Sequence, residues 1–299
     1  MVDAAARLHN SRLAGYLALA VGVTSVGFSA IFIRSAGAPG PVAAFYRMAI
    51  AALLMAWPFY RRIAALGSVP RAGLLFGLYG GLLLGLDNAL WSTGVTLSGA
   101  INPTILVNTA PLWVGIGALI FFRERLRIGF WIGTAIALFG AAIILGLDSL
   151  RAFSVGLGSL LGLGAAVVFA ASLLVAQRGR ESLDALTYYW MATATAAVTV
   201  FGITLLLRQP LLNYPISTYL NLLGLALVPQ VIGWLALTYA LGLLPATVVS
   251  PSLLAQPVVT GLLAIPLLGE NLSLAQIAGG ATVLAGVYLV HRSRETEKE

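Results

Sequence analysis

The sequence predicts an all-α integral membrane protein, with ten transmembrane helices in two inverted-topology five-helix repeats around a central cavity. Three observations carry this. Of 299 residues, 60% are hydrophobic and 9% charged, with a mean hydropathy of +0.96, whereas a soluble domain carries about a quarter charged residues. Apolar stretches of roughly 20 residues follow one another along the chain, each long enough as a helix to cross a hydrocarbon core of about 30 Å. Residues 111–140 also overlay residues 257–286 when the chain is displaced by 146 positions.

In chain order the apolar stretches place helices at 13–34, 41–60, 72–94, 100–122, 128–147, 155–177, 185–207, 218–242, 247–268 and 273–291. The repeats are then 13–147 and 155–291, with short tails at 1–12 and 292–299. The first stretch is too long for a signal-peptide core and Arg34 interrupts it before "SAGAPG", so it is read as a span. With both termini cytoplasmic, thirteen basic residues fall on the inner side (Arg7, Arg12, Arg61, Arg62, Arg71, Arg123, Arg125, Arg127, Arg178, Arg180, Arg292, Arg294, Lys298). Only Arg34, Arg151 and Arg208 fall on the outer side, a pronounced positive-inside bias. The net charge of +7 therefore belongs to the inner membrane face, and nothing in it points to nucleic acid.

The overlay joins Pro111, Gly115, Ala118, Glu124, Leu126, Gly133, Ala135, Leu138 and Gly140 to Pro257, Gly261, Ala264, Glu270, Leu272, Gly279, Ala281, Leu284 and Gly286. Chance would give roughly two or three such identities. Five helices per half is an odd number, so the second half enters the membrane the other way round. Secondary transporters are built in this fashion, with the substrate site near the midplane. Pro111–Gly115–Ala118 and Pro257–Gly261–Ala264 each share one helix face, where small residues admit a neighbouring backbone. Each proline breaks the hydrogen-bond ladder and is expected to kink its helix, as packing or as a hinge. Glu124 and Glu270 precede the following helices and are expected to cap them.

Two halves carrying "P…G…E-x-L…G……G", together with "FYRMAIAALL" at 45–54, resemble the EamA family of drug/metabolite transporters. Within it the pattern is most similar to the YddG-type bacterial exporters of aromatic amino acids. The resemblance implies ten helices, cytoplasmic termini, a central cavity, a bacterial inner-membrane location and export of a small metabolite.

"LLLGLDNALWSTG" at 82–94 sets Asp87 inside the third span. On a helical wheel Asp87, Asn88, Trp91, Ser92, Gly77, Gly80, Gly81 and Leu84 share one sector, with Leu82, Leu83, Leu86 and Leu90 opposite. A charge at that depth costs about 2.5–3.5 kcal/mol even on lenient scales, so it needs a partner or water. Arg47, at comparable depth in the second span, is the other intramembrane charge. The two fasten helices as a charge pair, or Asp87 lines the cavity and takes an amino group or a proton. Asn102, Asn108, Trp113, Gln230, Trp234 and Gln256 complete the candidate cavity lining, where amides and indoles suit an amphoteric or aromatic substrate. Trp57, Trp131 and Trp190 are placed in interfacial belts, and His9 and His291 outside the lipid.

No catalytic, nucleotide or metal motif occurs, and cysteine is absent, so no enzyme, metal site or cofactor is expected. Partners are lipid and a small-molecule substrate, driven by its own gradient or by a proton. A multidrug or nucleobase exporter, and a non-transporting scaffold or lipid-handling protein, stay open beside an amino-acid exporter.

Overall fold

The computed structural model describes residues 2–99, 101–146, 156–269 and 271–295, so Arg151 and Glu270 lie outside the described residues. Among the described residues ten helices are long and apolar enough to cross a membrane: α1 (Ser11–Ala36), α2 (Gly40–Ala65), α3 (Arg71–Ser98), α4 (Asn102–Phe121), α5 (Ile128–Leu145), α6 (Leu157–Ser182), α7 (Ala185–Leu206), α8 (Ile216–Leu241), α9 (Ala246–Leu268) and α10 (Leu274–Arg294). Each expected stretch became one of them. Successive helices alternate in direction, so the α2–α3, α4–α5, α6–α7 and α8–α9 turns share a face with the end of α10. We call this the terminal face.

Lipid is as apolar as leucine, so small residues decide which helices meet. α5 and α10, the last helix of each half, pack closely against each other. A Cβ on Gly133 would stand 2.7 Å from the Gly286 carbonyl oxygen, and one on Gly140 would stand 2.7 Å from that of Gly279. "GFWIG" at 129–133 is thus helix packing, as its spacing predicts. On α3, Gly77, Gly81 and Gly85 meet Met191, Thr195 and Thr199 of α7, while Leu82 and Leu86 are exposed on the outer wall. The polar sector of the wheel therefore divides: its glycines admit a helix, and only Asp87, Asn88 and Ser92 bring buried polar groups.

Three helices are broken and a fourth is distorted. α4 breaks at Asn108–Thr109 and α9 at Leu254–Ala255, the same register in the two repeats, with Pro111 and Pro257 in the first turn beyond. The missing proline N–H and the ring's clash with the preceding turn explain both. α1 breaks at Phe28, and the Thr260 hydroxyl of α9 donates to the Gly27 carbonyl (2.7 Å). α8 runs as a π-helix over Ala226–Trp234 around Pro229, a widening typical of proline and of functional sites.

Candidate functional site

The two breaks separate regions of different character. In α9, residues 246–254 are all buried and residues 255–261 are all half-buried; in α4, residues 104–109 are likewise half-buried. The terminal-side halves of α4 and α9 pack against each other, whereas Ile101–Val107 leans on α6 and Gln256–Leu268 on α1. The two helices thus touch at the terminal face and diverge beyond their breaks. Irregular backbone at this depth is tolerated only inside protein or along a watery cavity, and the half-buried runs 104–109 and 255–261 adjoin the two breaks. Asn108 stands at one break and Gln256 begins the helix after the other. Trp113 donates from Nε1 to the Thr109 hydroxyl at 3.3 Å.

A polar cluster lies where α2, α3, α7 and α8 meet. Arg47 donates from Nη2 to the Asn88 Oδ1. The Asn88 Nδ2 donates to the Leu84 carbonyl (2.9 Å) and to Asp87 Oδ2 (3.4 Å). Asn88 therefore stands between the cation and the carboxylate, so the two expected to pair are joined through an amide. The Tyr189 hydroxyl, within electrostatic reach of Arg47, donates to the Gln230 carbonyl (2.7 Å) and accepts from Gln230 Nε2 (2.8 Å). Two buried atoms here have no partner among the described residues: Arg47 Nε, a donor, and Gln230 Oε1, an acceptor. Sequence reasoning passed over Tyr189, which stands beside Trp190 in "TYYW" early in α7 and there looks like another interfacial aromatic.

The other predicted residues scatter. Trp91 donates to Thr104 across the α3–α4 contact (3.3 Å), and Asn102 is buried at the start of α4. Trp234 is half-buried and meets Phe169 edge-on at 5.8 Å. Gly115 is tight, since a Cβ there would lie 2.6 Å from the Phe130 ring, but at Gly261 the nearest side chain is 3.2 Å away. Trp190 is no free belt residue: it stacks on Phe59 at 3.8 Å and donates to the Ala52 carbonyl of α2 (2.9 Å).

One expectation is corrected at the terminal face. Glu124 does not cap α5, which starts after Arg127 without a side-chain cap. Its Oε2 instead accepts from Arg294 Nη2 of α10 (2.5 Å) and the Thr247 hydroxyl of α9 (3.0 Å). Glu124 stands three residues too early to reach free amides, and a guanidinium is the stronger partner. His291 lies within the last turns of α10, and its Nε2 is 2.7 Å from the buried Ser252 hydroxyl. Nearby, Arg62 pairs with Asp184 (3.2 Å). Burial raises the Asp184 carboxyl, but hydrogen bonds from the Thr187 side chain and backbone and from Arg62, with the Arg62 charge, outweigh this and hold it below its ordinary value.

Comparison with known proteins gives one result throughout. A family model described as the EamA-like transporter family matches residues 13–146 and again 156–292. The chain is 25% identical to an "Uncharacterized transporter" of Archaeoglobus fulgidus over 93% of its own length and 96% of the relative's. It is 26% identical to "Uncharacterized transporter YdfC" of Bacillus subtilis over 90% and 87%. A solved crystal structure superposes with a TM-score of 0.75 at 19% identity, covering 94% of this chain and 97% of the other, a likeness of fold.

Proposed function

The chain belongs to the EamA-like transporter family, and from that premise we propose that it exports amino acids, aromatic ones foremost, from a bacterial cell. It does so as a secondary transporter of the inner membrane, by alternating access of its two halves. The observation that carries the substrate class is the Arg47–Asn88–Asp87 row. A guanidinium with an unpartnered Nε suits a carboxylate, and a carboxylate one amide away suits an ammonium. Gln230 Oε1 offers a further acceptor, and the half-buried indoles of Trp113 and Trp234 offer ring faces for an aromatic side chain or a cation.

The paired breaks of α4 and α9 support the transport cycle, since each separates a half packed at the terminal face from a half free to lean elsewhere. Arginine placement supports a cytoplasmic terminal face: Arg61, Arg62, Arg71, Arg123, Arg125, Arg127, Arg178, Arg292 and Arg294 lie there, against Arg34 and Arg208 opposite.

Counterflow in proteoliposomes tests the reading. Preloaded phenylalanine or tryptophan should accelerate uptake of the labelled amino acid, and Arg47→Gln should abolish the acceleration. Absence of exchange across a panel of amino acids refutes the substrate class.

A further inference from the structure

Away from the polar cluster, a cavity of about 600 Å³ opens at the terminal face between α1 and α10, lined by Tyr16, Tyr288, His291 and Arg292. Two phenols, an imidazole and a guanidinium bring hydrogen-bond donors and positive charge, and among the described residues no carboxylate lines the cavity. The two helices present the same pattern from opposite chain directions. On α10 Tyr288 and Arg292 are four residues apart, and on α1 Arg12 and Tyr16 are four apart, so each pair shares one helix face. Because α1 leaves the terminal face and α10 arrives at it, both arginines lie one turn nearer that face than their tyrosines. Tyrosines at the hydrocarbon boundary with arginines just outside match the layering of a phospholipid, whose phosphate sits above its acyl chains.

We propose that this cavity binds a phosphate-bearing anion at the membrane surface, held by Arg292, His291 and the two tyrosines, with Arg12 at its rim. The bilayer itself presents this chemistry as the headgroup of an anionic phospholipid. The site also touches the moving parts: His291 holds Ser252, two residues before the α9 break, and its ring lies 5.6 Å from that of Tyr16. A bound headgroup therefore braces α1, α9 and α10 together at the terminal face.

The full chain in nanodiscs of phosphatidylcholine, with and without phosphatidylglycerol, tests this by thermal unfolding. Phosphatidylglycerol should raise the Tm. Arg292→Gln should remove most of that rise and Tyr288→Leu part of it, each rise being measured against the same variant's Tm in phosphatidylcholine alone, so that any contact either side chain makes within the protein cancels. Arg71→Gln, on the same face but outside the cavity, should keep the whole rise. Glycerol phosphate added to phosphatidylcholine discs separates the sources. A rise that needs Arg292 assigns the site to a soluble phosphate compound, and its absence beside a phosphatidylglycerol effect assigns it to lipid. A full rise in Arg292→Gln, or an equal loss in Arg71→Gln, overturns the proposal.

Discussion

Replacing Glu124 by alanine removes one carboxylate oxygen that ties the α4–α5 turn of the first half to α9 and α10 of the second. The ion pair is fairly enclosed, with side-chain exposures of 12% for Arg294 and 16% for Glu124. Water therefore screens it less than an ordinary surface pair. A hydrogen bond to a charged group contributes about 1.5–3 kcal/mol, and when the face opens water replaces part of that. We take about 2 kcal/mol as the stabilisation of the closed terminal face, and at 1.4 kcal/mol per factor of ten its loss shifts the open–closed balance about 30-fold. The chain has no cysteine, so a single introduced thiol reports the shift. Ser250→Cys suits this, being 1% exposed in the terminal-side half of α9 with a hydroxyl that has no partner among the described residues. Labelling by a membrane-impermeant maleimide from the terminal face should be about 30-fold faster in Glu124→Ala. Arg294→Ala should act in the same direction, and the double variant should add little, because both delete the Glu124–Arg294 pair. An unchanged labelling rate in a folded Glu124→Ala protein would refute the latch.

Asn88→Leu removes the amide between Arg47 and Asp87 and strands a half-buried guanidinium and a buried carboxyl group. Exchange should fall at least 10-fold, with stability lowered by about 1–3 kcal/mol, read by counterflow and thermal unfolding. Gly133→Leu drives a side chain into the Gly286 carbonyl, backbone that cannot yield, so the purified variant should lose its monodisperse peak in detergent. Asp184 has a folded-state carboxyl held below its ordinary value, so its contribution is present above the unfolded pKa and lost as pH falls through the folded one. Unfolding followed from pH 7 downward should show less acid destabilisation in Asp184→Asn; an identical profile would remove Asp184 from that role.

The sequence alone determined the ten spans, the division into repeats and the positions of the α4 and α9 breaks. Each rests on local chemistry: twenty apolar residues form a spanning helix whatever surrounds them, and Pro111 and Pro257 lack an N–H in any context. It also singled out Arg47, Asp87, Asn88 and Gln230, because polar groups in lipid are costly wherever they point. Only the tertiary structure decided partners. Asn88 came between the charges, Tyr189 reached Gln230 from 41 residues away, and Glu124 met Arg294 across 170 residues. Pro229 alone gave no sign that α8 would widen into a π-helix instead of breaking. Leucine is as content against lipid as against protein, so hydropathy does not say which helix faces meet; close approach at glycines such as Gly133 and Gly286 does.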